Sequence, residues 1–265
     1  MNQSVSDQRD RVSLFGIQID PLTMTAAVDK LLTVLQAPQR TSHYVVTPNT
    51  DHIVMLQSDA AFRKAYLNAF LVVADGKPVV LASRLLGKPL PETVPGSDLL
   101  PALFSEICAK KISTKVFLFG AGPGVALKAR DNIKTRWGST LQVVGATSPA
   151  FGFEHDAPAS AAYAREIAQS GADILVIGVG APKQELWAFS HREQLNVKLV
   201  LCVGATIDFL AGEKQRAPQW MQRTGLEWFY RMCQEPKRLV RRYGKDAFVF
   251  PFIVLRDALQ NNGKR

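Results

Sequence analysis

Six short apolar runs, at residues 44–47, 70–74, 116–119, 141–144, 174–177 and 199–203, recur between stretches whose apolar residues fall at helical spacing. Unbroken apolar runs of four or five residues suit strands buried on both faces, as happens when helices cover both sides of a parallel sheet. Residues 24–35 show the intervening pattern, with Ala27, Val28, Leu31, Leu32 and Leu35 on one helical face. Further helices are expected at 49–68, 78–86, 97–110, 124–136, 157–169 and 184–194. Strand, crossover helix, strand predicts an α/β fold, Rossmann-like and doubly wound, with a mainly parallel sheet. With 265 residues, 47% of them hydrophobic, the chain can fill one such core and carry an appendage besides.

The two ends read differently. Residues 1–12 are polar and read as a disordered tail, and residues 14–20 read as a short strand or hairpin edge closed by Pro21. After Val203 no further β-run occurs. Residues 211–265 read as helices broken at Pro218, Pro236 and Pro251, which sets an α/β core at 13–210 and a helical appendage at 211–265. Between Glu213 and Lys245 nine basic residues face three acidic ones, so most of the chain's formal charge of +9 lies in this appendage. Such a balance implies an acidic partner: nucleic acid, an anionic membrane surface or a phosphorylated substrate. Cys108, Cys202 and Cys233 are far apart and form no C-x-x-C, which fits a reducing cytosol better than a disulfide framework or a zinc site. The start of the chain has no apolar signal-peptide core, and no run reaches the roughly 18 apolar residues of a spanning helix.

Candidate chemistry begins at Leu71-Val72-Val73-Ala74-Asp75-Gly76, an apolar run that stops on an acid and a glycine. In open α/β sheets ligands sit outside the carboxyl ends of the strands, so Asp75 is expected to face a cleft. The competing reading is a helix cap, since Asp75 precedes Lys77-Pro78. Gly120-Ala121-Gly122-Pro123-Gly124 follows a strand and precedes a helix, making Gly120 and Gly122 candidates for a phosphate or nucleoside contact. A full dinucleotide fingerprint would need glycine at Val125, and an acid where Gly145-Ala146 follows the next strand. A purely structural turn therefore stays open.

The four histidines form no ligand spacing and no D-x-D pair occurs, so no metal site is expected. Cationic side chains would then have to hold any substrate charge. Arg231, Arg238 and Arg241 would fall within about 80° on an unbroken helix, although Pro236 is expected to start a new one. A solvated basic face is the alternative. Residues 245–256 place Phe248, Phe250 and Phe252 directly after the cationic run, as in an interfacial helix on an anionic membrane. The same helix could instead dock on the core or on a second subunit, giving a homo-oligomer. Few aromatic residues interleave the charges, which argues against nucleic acid as the partner.

Several ordered blocks together resemble the WecG/TagA/CpsF family, glycosyltransferase family 26. They are Thr47-Pro48-Asn49-Thr50-Asp51-His52, Ala74-Asp75-Gly76, Pro95-Gly96-Ser97-Asp98-Leu99, Gly178 to Glu185, Gly204 to Phe209, Arg216-Ala217-Pro218, Gly225 to Arg231 and Glu235-Pro236-Lys237-Arg238. The resemblance implies an inverting enzyme that needs no metal or other cofactor and moves a sugar from a UDP-sugar to a saccharide on a polyprenyl-diphosphate lipid. It also implies surface or exopolysaccharide biosynthesis at the cytoplasmic, inner face of the bacterial plasma membrane. The sugar would be glucose, N-acetylmannosamine or its uronic acid. By the same resemblance Asp75 is the general base with Thr47 beside it, Asn49 and Gln184 hold the donor sugar, and Asp208 lies near the nucleoside. Arg231, Arg238 and Arg241 would close over the site and neutralise diphosphate. Residues 145–153 depart from the family's aromatic/His pattern, which leaves the donor sugar open. The reading from another class is a non-catalytic, nucleotide-binding peripheral membrane adaptor.

Overall fold

The computed structural model describes residues 11–262, apart from the side chains of Gln219, Gln222, Arg223, Arg238, Asn261 and Asn262. The tail expected at 1–12 lies outside it except for Arg11 and Val12, and both of these are held. Val12 opens a hairpin of β1 (Val12–Leu14) and β2 (Ile17–Ile19). Arg11 donates to Asp20 at 3.2 Å and to the carbonyl of Phe70 at 2.7 Å.

The six apolar runs form β3 (His43–Val46), β4 (Leu71–Val72), β5 (Thr114–Gly120), β6 (Leu141–Thr147), β7 (Ile174–Gly178) and β8 (Leu199–Cys202). They pair in the order β4-β3-β8-β7-β5-β6, all parallel, as expected for a Rossmann-like sheet. Two apolar clusters fill the space between this sheet and its helices. One is centred on Tyr44, Phe117, Phe119 and Trp187, the other on Leu31, Leu103, Phe104 and Val176. The helices are α1 (Met24–Gln36), α2 (Thr50–Leu56), α3 (Ala60–Leu67), α4 (Lys77–Leu85), α5 (Gly96–Ala109), α6 (Val125–Trp137), α7 (Ala157–Gln169), α8 (Lys183–His191) and α9 (Thr206–Ala211).

Two expectations are corrected. Residues 49–68 are two helices, not one, because the Asp59 carboxylate caps a new start by accepting from the Phe62 N–H at 2.8 Å. The appendage is α10 (Gln219–Thr224), α11 (Glu227–Gln234) and α12 (Pro236–Asn262), with breaks at Pro218 and Pro236 but none at Pro251. Pro251 removes the donor for the Ala247 carbonyl, yet both residues are exposed, so water can take that bond and the helix continues.

The appendage lies on the core. Phe250 and Ile253 of α12 are buried in the Tyr44 cluster, Phe250 stands 5.6 Å from the Phe15 ring, and Asp257 accepts from the Phe15 N–H at 3.1 Å. All three cysteines are free thiols. Among the described residues no helix is long and apolar enough to cross a membrane.

Candidate active site

Asp75 owes its place to the sheet edge. Beyond the two residues of β4 the chain keeps running beside β3: Val73 N–H donates to the Val46 carbonyl at 3.2 Å and Asp75 N–H to the Pro48 carbonyl at 2.9 Å. On the outer side the Asp20 carboxylate accepts from Val72 N–H at 2.8 Å, and the Ala74 carbonyl accepts from Val94 N–H at 2.7 Å. These contacts satisfy the exposed edge with side chain and loop, which is why the regular strand stops early. Gly76 then takes φ of +96°, a left-handed turn, and starts α4 with no side-chain cap. Asp75 is thus set beside the buried Thr47 at the carboxyl ends of β3 and β4.

Charged groups from three elements surround it. Burial pushes the Asp75 carboxyl up to about 6, Arg231 on α11 pulls it down, and Glu227 on α11 and Asp98 on α5 push it up. Arg216, in the loop before α10, pulls it down more weakly. Arg216 bonds both oxygens of Asp98 and reaches Glu227 at 3.4 Å. Asp98 is delivered by Gly96, where a Cβ would lie 2.8 Å from Val203 Cγ1, so only glycine lets the start of α5 come this close to the sheet.

Beneath this group lies a buried polar chain. The Tyr66 hydroxyl and His52 Nδ1 are 2.7 Å apart, and burial, then Arg242, drives His52 down to about 3, leaving it neutral. Burial raises the Tyr66 phenol far above its usual range, with Glu185, Cys202 and Asp75 adding to the effect. Glu185 is fully buried and pushed up to about 7, chiefly by that burial.

The other expected residues divide. Asn49 sits beside Thr47, but its Oδ1 caps α2 by accepting from His52 N–H at 3.1 Å. Gln184 is 2% exposed; its Oε1 accepts from Gly204 N–H at 3.2 Å and its Nε2 donates to Glu185 at 2.8 Å. Both polar ends of Gln184 therefore hold protein, and its amide ties the start of α8 to the turn after β8. Asp208 is half-buried in α9, where its backbone carbonyl accepts from Glu213 N–H at 3.0 Å. Gly120 ends β5, four strands from β4, so about 19 Å separates its strand from that of Asp75. A Cβ there would lie 2.5 Å from the Gly178 carbonyl carbon, and one at Gly178 2.6 Å from the Gly204 oxygen. Gly178 thus packs between Gly120 at the end of β5 and Gly204 in the turn after β8. A Cβ at Gly122 would meet only Val125 Cγ2, at 3.6 Å, while the Gly122 carbonyl accepts from Ser148 Oγ at 2.8 Å.

Of the appendage arginines, Arg231 reaches the field of Asp75, Arg241 is exposed on α12, and the Arg238 side chain lies outside the described ones. As expected, they come from two helices. Asp98, Arg216 and Glu227 had no assigned role in the sequence, although each falls within a motif block quoted above.

A family model, the glycosyl transferase WecG/TagA/CpsF family, matches residues 12–264. The chain belongs to the WecG/TagA/CpsF family of glycosyltransferases. Two relatives from Staphylococcus aureus are named N-acetylglucosaminyldiphosphoundecaprenol N-acetyl-beta-D-mannosaminyltransferase. The protein of strain MRSA252 is 28% identical over 244 residues, and that of strain MW2 is 27% identical over 244. Each alignment covers 91% of this WecG/TagA/CpsF member and 91% of the relative.

Proposed function

We propose that the chain transfers a sugar from a UDP-sugar to a saccharide carried on a polyprenyl diphosphate, in one displacement that inverts the anomeric carbon. The acceptor hydroxyl oxygen forms the new bond to that carbon as its proton passes to the Asp75 carboxylate. The bond from the anomeric carbon to the phosphate oxygen breaks, and UDP leaves with the electron pair. A carboxylate in reach of the attacking hydroxyl contributes typically ~10²–10⁴-fold. The charge gathering on UDP is met by Arg231, with Arg238 and Arg241 added as the appendage engages substrate, so no metal or other cofactor is required. The observation that carries this reading is the half-buried Asp75 at a strand's carboxyl end, raised to about 6 and opposed by Arg231. Such a group is ionised at neutral pH yet more basic than an ordinary carboxylate, as a general base needs.

Thr47 orients the acceptor beside Asp75, and Asn49, Gln184, Asp208, Gly120 and Gly122 border the donor. The relatives' named activity favours N-acetylmannosamine as the sugar and an N-acetylglucosaminyl-diphosphate lipid as the acceptor. The product would feed surface or exported polysaccharide. The enzyme meets its lipid through α12, where Phe248, Phe252, Leu255 and Leu259 form one exposed stripe and Lys237, Arg241 and Lys245 continue the same face. This gives a peripheral site on the cytoplasmic leaflet, which is anionic. A panel of UDP-sugars tested against a synthetic polyprenyl-diphosphate N-acetylglucosamine, read by product mass, tests the proposal. One sugar should transfer, and Asp75→Asn should bind it without turnover; turnover at the native rate in that variant would sink the reading.

A further inference from the structure

Two carboxylates that do no chemistry in this scheme, Asp98 and Glu227, stand on opposite sides of the seam between core and appendage. Asp98 lies in the first turn of α5, and Glu227 opens α11. One guanidinium satisfies both. Arg216 bonds Asp98 through both terminal nitrogens and reaches Glu227 Oε1 at 3.4 Å. Its side chain is 21% exposed, and its Nε is buried with no hydrogen-bond partner among the described residues. The guanidinium is therefore drawn out of water for the sake of these two contacts.

Arg231 follows Glu227 by four residues, one helical turn, so the two project from the same face of α11. A second tether lies close by. Gly225, at φ of +83°, packs so that a Cβ would come 3.1 Å from Lys77 Cδ, two residues after Asp75. The entry to α11 thus rests on α4, and its first turn is pinned to α5.

We propose that Arg216 is a positioning residue: by bridging Asp98 on the core to Glu227 on α11, it latches the appendage over Asp75 and delivers Arg231 to it. Without the bridge Asp98 and Glu227 face each other as uncompensated like charges, and α11 lifts. Asp75 then loses Arg231 and Glu227 from α11 and the weaker pull of Arg216 itself, and regains water, the largest of these effects, while Asp98 on α5 and Tyr66 on α3 stay. A fork-shaped guanidinium suits the task because it binds one carboxylate through two nitrogens and keeps contact with a second.

The test compares wild type with Arg216→Gln and Arg216→Lys. Hydrogen exchange on the substrate-free proteins should show residues 227–234 losing protection in Arg216→Gln while β3 and β8 keep theirs; unchanged protection of 227–234 overturns the latch. The kinetic arm rests on the proposed transfer reaction. There Arg216→Gln should lower kcat about 10²-fold, the scale for a misplaced catalytic constellation, with a smaller change in donor KM. The acid limb of its pH profile should move from about 6 toward ~4, the range of a solvated carboxylate. Arg216→Lys should recover part of both. A native kcat with the limb still near 6 overturns the proposal. Should wild type transfer no sugar at all, the functional reading fails and the exchange arm alone decides the latch. If Arg216→Gln does not fold, Glu227→Ala, which removes the acceptor on α11 and leaves the Arg216–Asp98 pair intact, supplies the exchange and kcat readouts.

Discussion

Replacing Asp75 with Asn should abolish transfer and stabilise the protein at once. Its carboxyl is lifted from the ordinary value near 4 to about 6 because burial opposes the charged form more than Arg231 and Arg216 favour it. Between pH ~4 and ~6 the folded chain holds a proton that the unfolded chain has released, so stability falls as pH rises through that window. Above it the penalty is fully present. Two pH units correspond to roughly 3 kcal/mol, and partial exposure of the group brings this to about 1–2 kcal/mol. Asn mimics the neutral acid, so at pH 8 the variant should melt about 2–8 °C higher, given ~2–4 °C per kcal/mol for a chain of this size. Glu185 and Asp246, also raised by burial, to about 7 and about 6, titrate in both proteins and cancel in the difference. Thermal unfolding of the pair at pH 4, 6 and 8, beside an assay of UDP release, measures both effects. An Asn variant no more stable than wild type at pH 8, or an advantage that persists unchanged at pH 4, refutes the argument from burial.

Gly120→Ala puts a Cβ 2.5 Å from the Gly178 carbonyl carbon and should cost ~1–3 kcal/mol in a urea melt, whereas Gly122→Ala, which meets only Val125, should leave the midpoint within error. A fall in UDP-sugar affinity at Gly122→Ala without a change in stability would assign that turn to the nucleotide. Phe248→Glu with Phe252→Glu should leave the melting temperature unchanged, because both rings are mostly exposed, and cut co-sedimentation with anionic vesicles at least ~10-fold. Equal vesicle binding would move the membrane contact elsewhere. Dialysis against a chelator should leave transfer unchanged if guanidinium groups meet the charge on UDP; lost activity restored by a divalent ion would show otherwise.

The sheet could be read from the chain because a strand buried on both faces has little choice but to be apolar throughout, as Ile174 to Ile177 and Leu199 to Cys202 are. Strand order could not, since nothing local to β8 says that it inserts between β3 and β7. Local chemistry also misled where two rules competed. Apolar periodicity runs across Ser58-Asp59 and suggests one helix, but the Asp59 side chain bonds Phe62 N–H and starts another. Gly120 read as a turn residue beside phosphate, and its structural need is the approach of Gly178, a contact between strands more than fifty residues apart.

Asp75 was legible for a different reason: an acid that ends an apolar run must be solvated, paired or used. What decides among these is remote in sequence. Arg216, Glu227 and Arg231 come from the appendage, and each reads locally as one more charge on a polar helix or loop. Seated, their charges act on a carboxylate whose affinity for a proton burial has already raised. Position 75 supplies a carboxylate, and the charges that shift its affinity for a proton lie some 150 residues later, in α11 and the loop before α10.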